Sequence, residues 1–94
     1  MRAYELSCII HPDVDEEGIN AVVEGLNRAI TANNGQVTSV DSWGKRRLAY
    51  PIRKCEEGYY VVMRTQLEPE AIPELERNLK LTDEVIRYLL VQVD

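Results

Sequence analysis

Apolar residues recur with a period of two near the start of the chain. Tyr4, Leu6, Cys8 and Ile10 share one parity, and Ala3, Glu5, Ser7 and Ile9 share the other. This predicts a strand with one buried face and one more open face. His11-Pro12-Asp13 ends it, because Pro cannot donate to a ladder and restricts the residue before it. The period then changes. Ile19, Val22, Val23, Leu26 and Ile30 form one helical stripe, with Glu24, Asn27, Arg28 and Thr31 on the solvent side. Asp15 is the expected N-cap, and Glu16 and Glu17 suit the positive end of the helix dipole. Asn33-Asn34-Gly35 is the stop. Gly18 and Gly25 each cost about 1 kcal/mol relative to Ala, so packing has to hold this helix.

A strand is predicted from Gln36 to Ser42, although Val37 and Val40 are three apart. A bulge between Asp41 and Lys45, placed at Gly44, restores the phase for Leu48, Tyr50 and Ile52. By parity those three form an apolar face, which assigns Tyr50 to the core. Pro51 falls on the other parity with Arg47, Ala49 and Arg53, and a Pro within a strand predicts a sheet edge. Cys55-Glu56-Glu57-Gly58 is the predicted hairpin turn. Tyr59, Val61, Met63, Thr65 and Leu67 then form one face of the next strand, and Tyr60, Val62, Arg64 and Gln66 the other. Pro69 to Pro73 opens a second helix with an Ile72, Leu75, Leu79 stripe; prolines fit its first turn, where N–H groups have no intrahelical partner. After a turn at Thr82-Asp83-Glu84, a last strand runs from Val85 to Val93. Ile86, Tyr88 and Leu90 share one parity, and Arg87, Leu89, Val91 and Val93 the other.

The order strand, helix, strand, strand, helix, strand predicts an α+β, ferredoxin-like split β-α-β fold. Both helices bury their stripes on one face of a four-stranded antiparallel sheet. The first and third strands are then central, and the second and fourth are edges. At 94 residues the chain is read as a single domain spanning 1–94.

With 45% hydrophobic residues the chain can fill one core, with little left for a deep pocket. No apolar run is long enough to cross a membrane, and the start lacks the apolar stretch of a secretory signal. Cys8 and Cys55 have no metal-type spacing and are expected as free thiols in a reducing cytoplasm. His11, beside Asp13, reads as an ordinary loop residue. No nucleophile–base arrangement or phosphate loop is present, so neither a cofactor, a metal nor a small-molecule substrate is expected.

Charge changes the picture. The net charge is −5, yet Lys45, Arg46, Arg47, Arg53 and Lys54 are five of the 11 basic residues, and no acid falls between Ser42 and Cys55. At a Debye length of about 8 Å, against a radius of gyration of about 12 Å, such a cluster acts independently of acids on the far side. Charges on an edge strand also discourage aggregation, but lysine alone would serve that purpose. Arginine forks favour phosphate or an acidic partner. Trp43 beside the cluster suits either core closure or an interface anchor. The open face of the sheet collects Glu5, Ser7, Ile9, Tyr60, Val62, Arg64, Arg87, Leu89 and Val91, apolar enough to be a partner surface. Tyr60 is its only aromatic, so base stacking there is not expected. Two alternatives stand beside this reading: a small dimeric ferredoxin-like enzyme using His11, and a sensor module that dimerises through sheet edges.

The run Gly44-Lys45-Arg46-Arg47-Leu48-Ala49-Tyr50-Pro51-Ile52-Arg53 resembles the signature of the bacterial small-subunit ribosomal protein S-six family. So do Met1-Arg2-Ala3-Tyr4-Glu5, Gly58-Tyr59-Tyr60 and the close from Leu79 to Tyr88. The resemblance implies a non-enzymatic, cytoplasmic protein of the ribosome. It also implies binding to the central domain of small-subunit rRNA, as a heterodimer with ribosomal protein S-eighteen, and no membrane partner. Carried over position by position, it implies Arg2, Lys45, Arg46, Arg47, Arg53 and Arg87 as rRNA-facing cations. It implies Trp43, Ala49, Tyr50, Tyr60, Val62, Leu89 and Val91 as the surface for the partner protein. Many members of that family continue in a flexible, often acidic tail, and a sequence reaching Asp94 is expected to lack contacts made by it.

Overall fold

The elements follow in the order β1 (Arg2–Ile10), α1 (Glu16–Ala32), β2 (Gln36–Ile52), β3 (Cys55–Leu67), a 3-10 turn (Pro69–Ala71), α2 (Ile72–Leu81) and β4 (Val85–Gln92). The computed structural model describes residues 1–93, and Asp94, the end of the expected domain, lies outside the described residues. The sheet order is β2-β3-β1-β4 with every pair antiparallel, so β1 and β3 are central and β2 and β4 are edges. This is the expected ferredoxin-like arrangement, and Pro51 lies on an edge strand.

Local signals set the helix ends. The Asp15 carboxylate accepts the Gly18 N–H at 2.8 Å, which satisfies one of the free donors at the start of α1. Asn34 takes a φ of 65° after the Asn33 cap, a conformation Asn tolerates better than most residues. The α1 stripe of Ile19, Val22, Leu26 and Ile30 packs with Leu75 and Leu79 of α2 against Tyr4, Leu6, Cys8, Ile10, Val61, Met63 and Leu67. The buried Thr65 hydroxyl donates to the Tyr4 carbonyl at 3.1 Å, so its burial carries no unmet hydrogen bond.

β2 departs from expectation. It is one strand of 17 residues with interruptions, not two pieces. Thr38 is an extra residue between the Val37–Thr65 and Ser39–Arg64 pairs, which puts Val37 and Val40 on one face despite their spacing. The expected second bulge is present: Trp43 is the extra residue between the Ser42–Val61 and Gly44–Tyr60 pairs, and Gly44 has a φ of 82°. The hairpin turn lies at Arg53-Lys54, not at Cys55–Gly58. Both residues have positive φ, 48° and 65°, between the paired Ile52 and Cys55. That is the backbone of a tight hairpin matched to strand twist. Gly58 is needed for a different reason: a Cβ there would sit 2.3 Å from the Ile9 Cγ2 and 3.7 Å from the Leu48 Cδ2.

The apolar face expected for Leu48, Tyr50 and Ile52 does not form. Arg47 pairs with Glu57 and Ile52 with Cys55, so residues 48–51 together face only Glu56 and leave the ladder. Leu48 is buried beside Ile9 and outside the main core, Ile52 is half-buried, and Tyr50 is 50% exposed rather than a core residue. The bow carries this end of the hairpin across the sheet toward the α2–β4 connection. There the Arg53 guanidinium donates to the Asp83 carbonyl at 3.3 Å.

Candidate nucleic-acid interface

Strand register lays the open face out in three rows. Ser39, Arg64, Glu5 and Val91 form the first, Asp41, Val62, Ser7 and Leu89 the second, and Gly44, Tyr60, Ile9 and Arg87 the third. The third row borders the basic end of the β2–β3 hairpin. Lys45, Arg46 and Arg47 continue β2 beyond it, and Arg53-Lys54 is the tip. Arg87 reaches this end from the opposite edge of the sheet.

Two arginines there are held by aromatic residues. The Arg46 Nε–H donates to the Trp43 carbonyl at 3.2 Å, and its guanidinium lies 5.9 Å from the centre of the Trp43 ring. Trp43 stacks in turn on Tyr60, with centroids 6.3 Å apart and planes 11° apart, and its indole N–H donates to Asp41 at 3.1 Å. Arg87 donates to the Tyr50 hydroxyl and lies 5.6 Å from the centre of the Tyr50 ring. The Arg46 guanidinium sits within the range of a cation–π contact, and Arg87 is held at the hydroxyl edge of its ring.

None of Lys45, Arg46, Arg47, Arg53, Lys54 and Arg87 has a carboxylate partner among the described residues. The ion pairs there are Glu5–Arg64, Glu74–Arg77 and the N-terminus with Glu68. Glu56 and Glu57 line the same cleft as Arg47 and Lys54 without pairing with them. In a chain of 16 acids the hairpin end thus keeps a local positive field.

The expected cations divide. Lys45, Arg46, Arg47, Arg53 and Arg87 come together. Arg2 does not: it pairs with Leu67 at the other end of β1 from Ile9, the residue opposite Arg87. Seven residues of strand put it about 23 Å from that row. The expected partner residues divide too. Trp43, Ala49, Tyr50 and Tyr60 lie at the basic end, whereas Leu89 and Val91 are exposed on β4. Val62 is only 9% exposed, so it offers little area of its own. Lys54 belongs to the cluster by position, and its place in the basic run was the signal for it. The Tyr50–Arg87 contact had no signal, because it depends on the bow in β2.

His11 plays no such part: its Nδ1 accepts the Asp13 N–H at 3.1 Å in the β1–α1 connection. The layer between helices and sheet is filled by Leu6, Ile10, Ile30, Met63, Leu67 and Leu79.

The chain is thus a ferredoxin-like domain that presents a cluster of cations at one end of its sheet. The comparisons with known proteins identify its family. The profile of the family described as Ribosomal protein S6 matches residues 3–92. The small ribosomal subunit protein bS6 of Moorella thermoacetica is 49% identical over 94 residues, which cover 100% of this chain and 96% of that one. The bS6 of Dictyoglomus turgidum is 44% identical, with 100% and 97% covered. The crystal structure of 30S ribosomal protein S6 from Thermotoga maritima superposes with a TM-score of 0.92 at 33% identity, covering 98% of this chain and 87% of that one. The chain belongs to the ribosomal protein S6 family. That is a family of structural proteins of the small ribosomal subunit, not of enzymes.

Proposed function

We propose that this chain binds the central domain of small-subunit rRNA through its hairpin end, as a heterodimer with ribosomal protein S-eighteen, on the cytoplasmic ribosome. One observation carries the RNA reading: cations gathered at one end of an acidic domain, none of them held in an ion pair with a carboxylate among the described residues. Arginine forks there suit phosphate oxygens. With a net charge of −5 the chain alone binds RNA weakly. A basic partner adds phosphate contacts and preorganises the site, so binding is cooperative. The partner surface continues from Trp43 and Tyr60 over the open face to Leu89 and Val91.

Filter binding to a central-domain rRNA fragment, with and without S-eighteen, tests this across a salt series. Engagement of about five phosphates gives a log–log salt slope of about −4 to −5. Replacing Arg46 and Arg47 by Ala flattens it by about two. Equal affinity with and without the partner would remove the cooperative account, and no binding by either preparation would remove the RNA reading.

A further inference from the structure

The contact between Tyr50 and Arg87 joins the two opposite edges of the sheet, which are three strand spacings or about 14 Å apart. Nothing in regular strand pairing brings them together. The bow of residues 48–51 does so, and it is built for the purpose. Leu48 anchors it, buried beside Ile9. Tyr50 is then presented with half its surface exposed, its hydroxyl accepting from Arg87 and its ring beside the guanidinium. The hydroxyl of Tyr50 is thereby committed to an arginine.

From this geometry we infer that Tyr50 is a positioning residue that fixes the Arg87 guanidinium for a phosphate of the bound RNA. The inference rests on the RNA reading above. Arginine carries five donors. One is taken by the Tyr50 hydroxyl, and no carboxylate among the described residues takes the others. Those donors stay in a fixed fork facing the solvent. A side chain already held in place loses less rotamer freedom on binding, which corresponds to about three- to tenfold in affinity. Tyr50 adds no charge, so its contribution is independent of salt.

The test is filter binding of the complex with S-eighteen to a central-domain rRNA fragment, using wild type, Tyr50→Phe, Arg87→Ala and the double variant across a salt series. Tyr50→Phe keeps the ring and removes the acceptor. It should weaken RNA binding about three- to tenfold with an unchanged salt slope. Arg87→Ala should flatten the slope by about one. In the Arg87→Ala background Tyr50→Phe should have no further effect, since there is then no guanidinium to hold. Thermal unfolding of each variant and its affinity for S-eighteen are measured alongside. Tyr50→Phe with wild-type RNA affinity, additive effects in the double variant, or a loss confined to S-eighteen binding would each overturn the inference while leaving the RNA reading in place. Failure of the wild-type complex to bind the RNA would instead overturn the RNA reading.

Discussion

Cys8 shows how a single side chain writes its environment into a measurable quantity. It faces the core from β1 with 1% of its surface exposed, and burial pushes its thiol up from an ordinary value of 9.0 to about 12. The fold therefore favours the neutral thiol, and its pKa lies above that of the unfolded chain. The contribution is fully present below about pH 9 and is lost as pH rises toward 12, at about 1.4 kcal/mol per pH unit. Urea unfolding at pH 8 and pH 10 should show wild type losing about 1.4 kcal/mol more than Cys8→Ala over that interval. Parallel losses in the two proteins would show that Cys8 does not titrate this way. Cys55 is half-buried with its Sγ 3.7 Å from the Arg53 carbonyl. Only the thiolate reacts with an alkylating reagent, so Cys55 should be modified in the native protein long before Cys8. Both cysteines were legible as unpaired thiols from their spacing. Parity already put Cys8 on the apolar side of its strand, whereas Cys55, expected in the hairpin turn, opens β3 instead.

Elements differ in how much of their geometry is local. α1 was readable end to end, because its cap, its stripe and its Asn-Gly stop all act within a few residues of one another. The β2–β3 turn was not. Arg53 and Lys54 carry no turn signature, yet both adopt the left-handed conformation that hairpins of this length prefer to give to Asn and Gly. Each costs about 1 kcal/mol or more in that conformation, which the paired strands on either side must supply. Lys54→Gly should therefore raise stability by about 1 kcal/mol, which is about 4–8 °C in Tm for a domain this size. Thermal unfolding checks it, and an unchanged or lower Tm would show that the turn holds no such strain. The same variant removes a cation from the basic end, so its RNA affinity should fall as its stability rises. Gly58 misled in the opposite direction. It looked like the turn residue, but the close approach of the Ile9 Cγ2, 2.3 Å from where a Cβ would lie, is what requires it.

At the scale of the molecule the two faces of the sheet have separate tasks. One is sealed by α1 and α2 and holds the fold together. The other leaves Leu89 62% exposed, with Val91 beside it across the Glu5–Arg64 ion pair, which is 3.2 Å long. A solvent-facing ion pair of this kind adds at most about 1 kcal/mol to stability. The apolar residues add nothing to the isolated fold, so a partner that covers them gains their burial. Replacing Leu89 and Val91 together by Gln, which puts no second carboxylate opposite Glu5, should weaken association with S-eighteen at least about tenfold while shifting the unfolding free energy by no more than about 0.5 kcal/mol per site. Pull-down or calorimetric titration against S-eighteen decides it, and undiminished association would move the partner surface off β4.

Periodicity by itself determined the number, order and type of the elements, the two-layer arrangement and the edge position of β2. Each of these follows from which residues must leave water within one strand or one helical turn. The basic run and the family resemblance were likewise present in the linear order. Only the tertiary structure decided which cations share an end, joining Arg87 to the hairpin and leaving Arg2 about 23 Å away. It also decided that Tyr50 turns outward to an arginine on the opposite edge and not inward to the core. The reason is physical: alternation reports only which side of a strand a residue faces while the ladder continues. Residues 48–51 leave the ladder, and where they go is set by the burial of Leu48 beside Ile9 and by register across four strands.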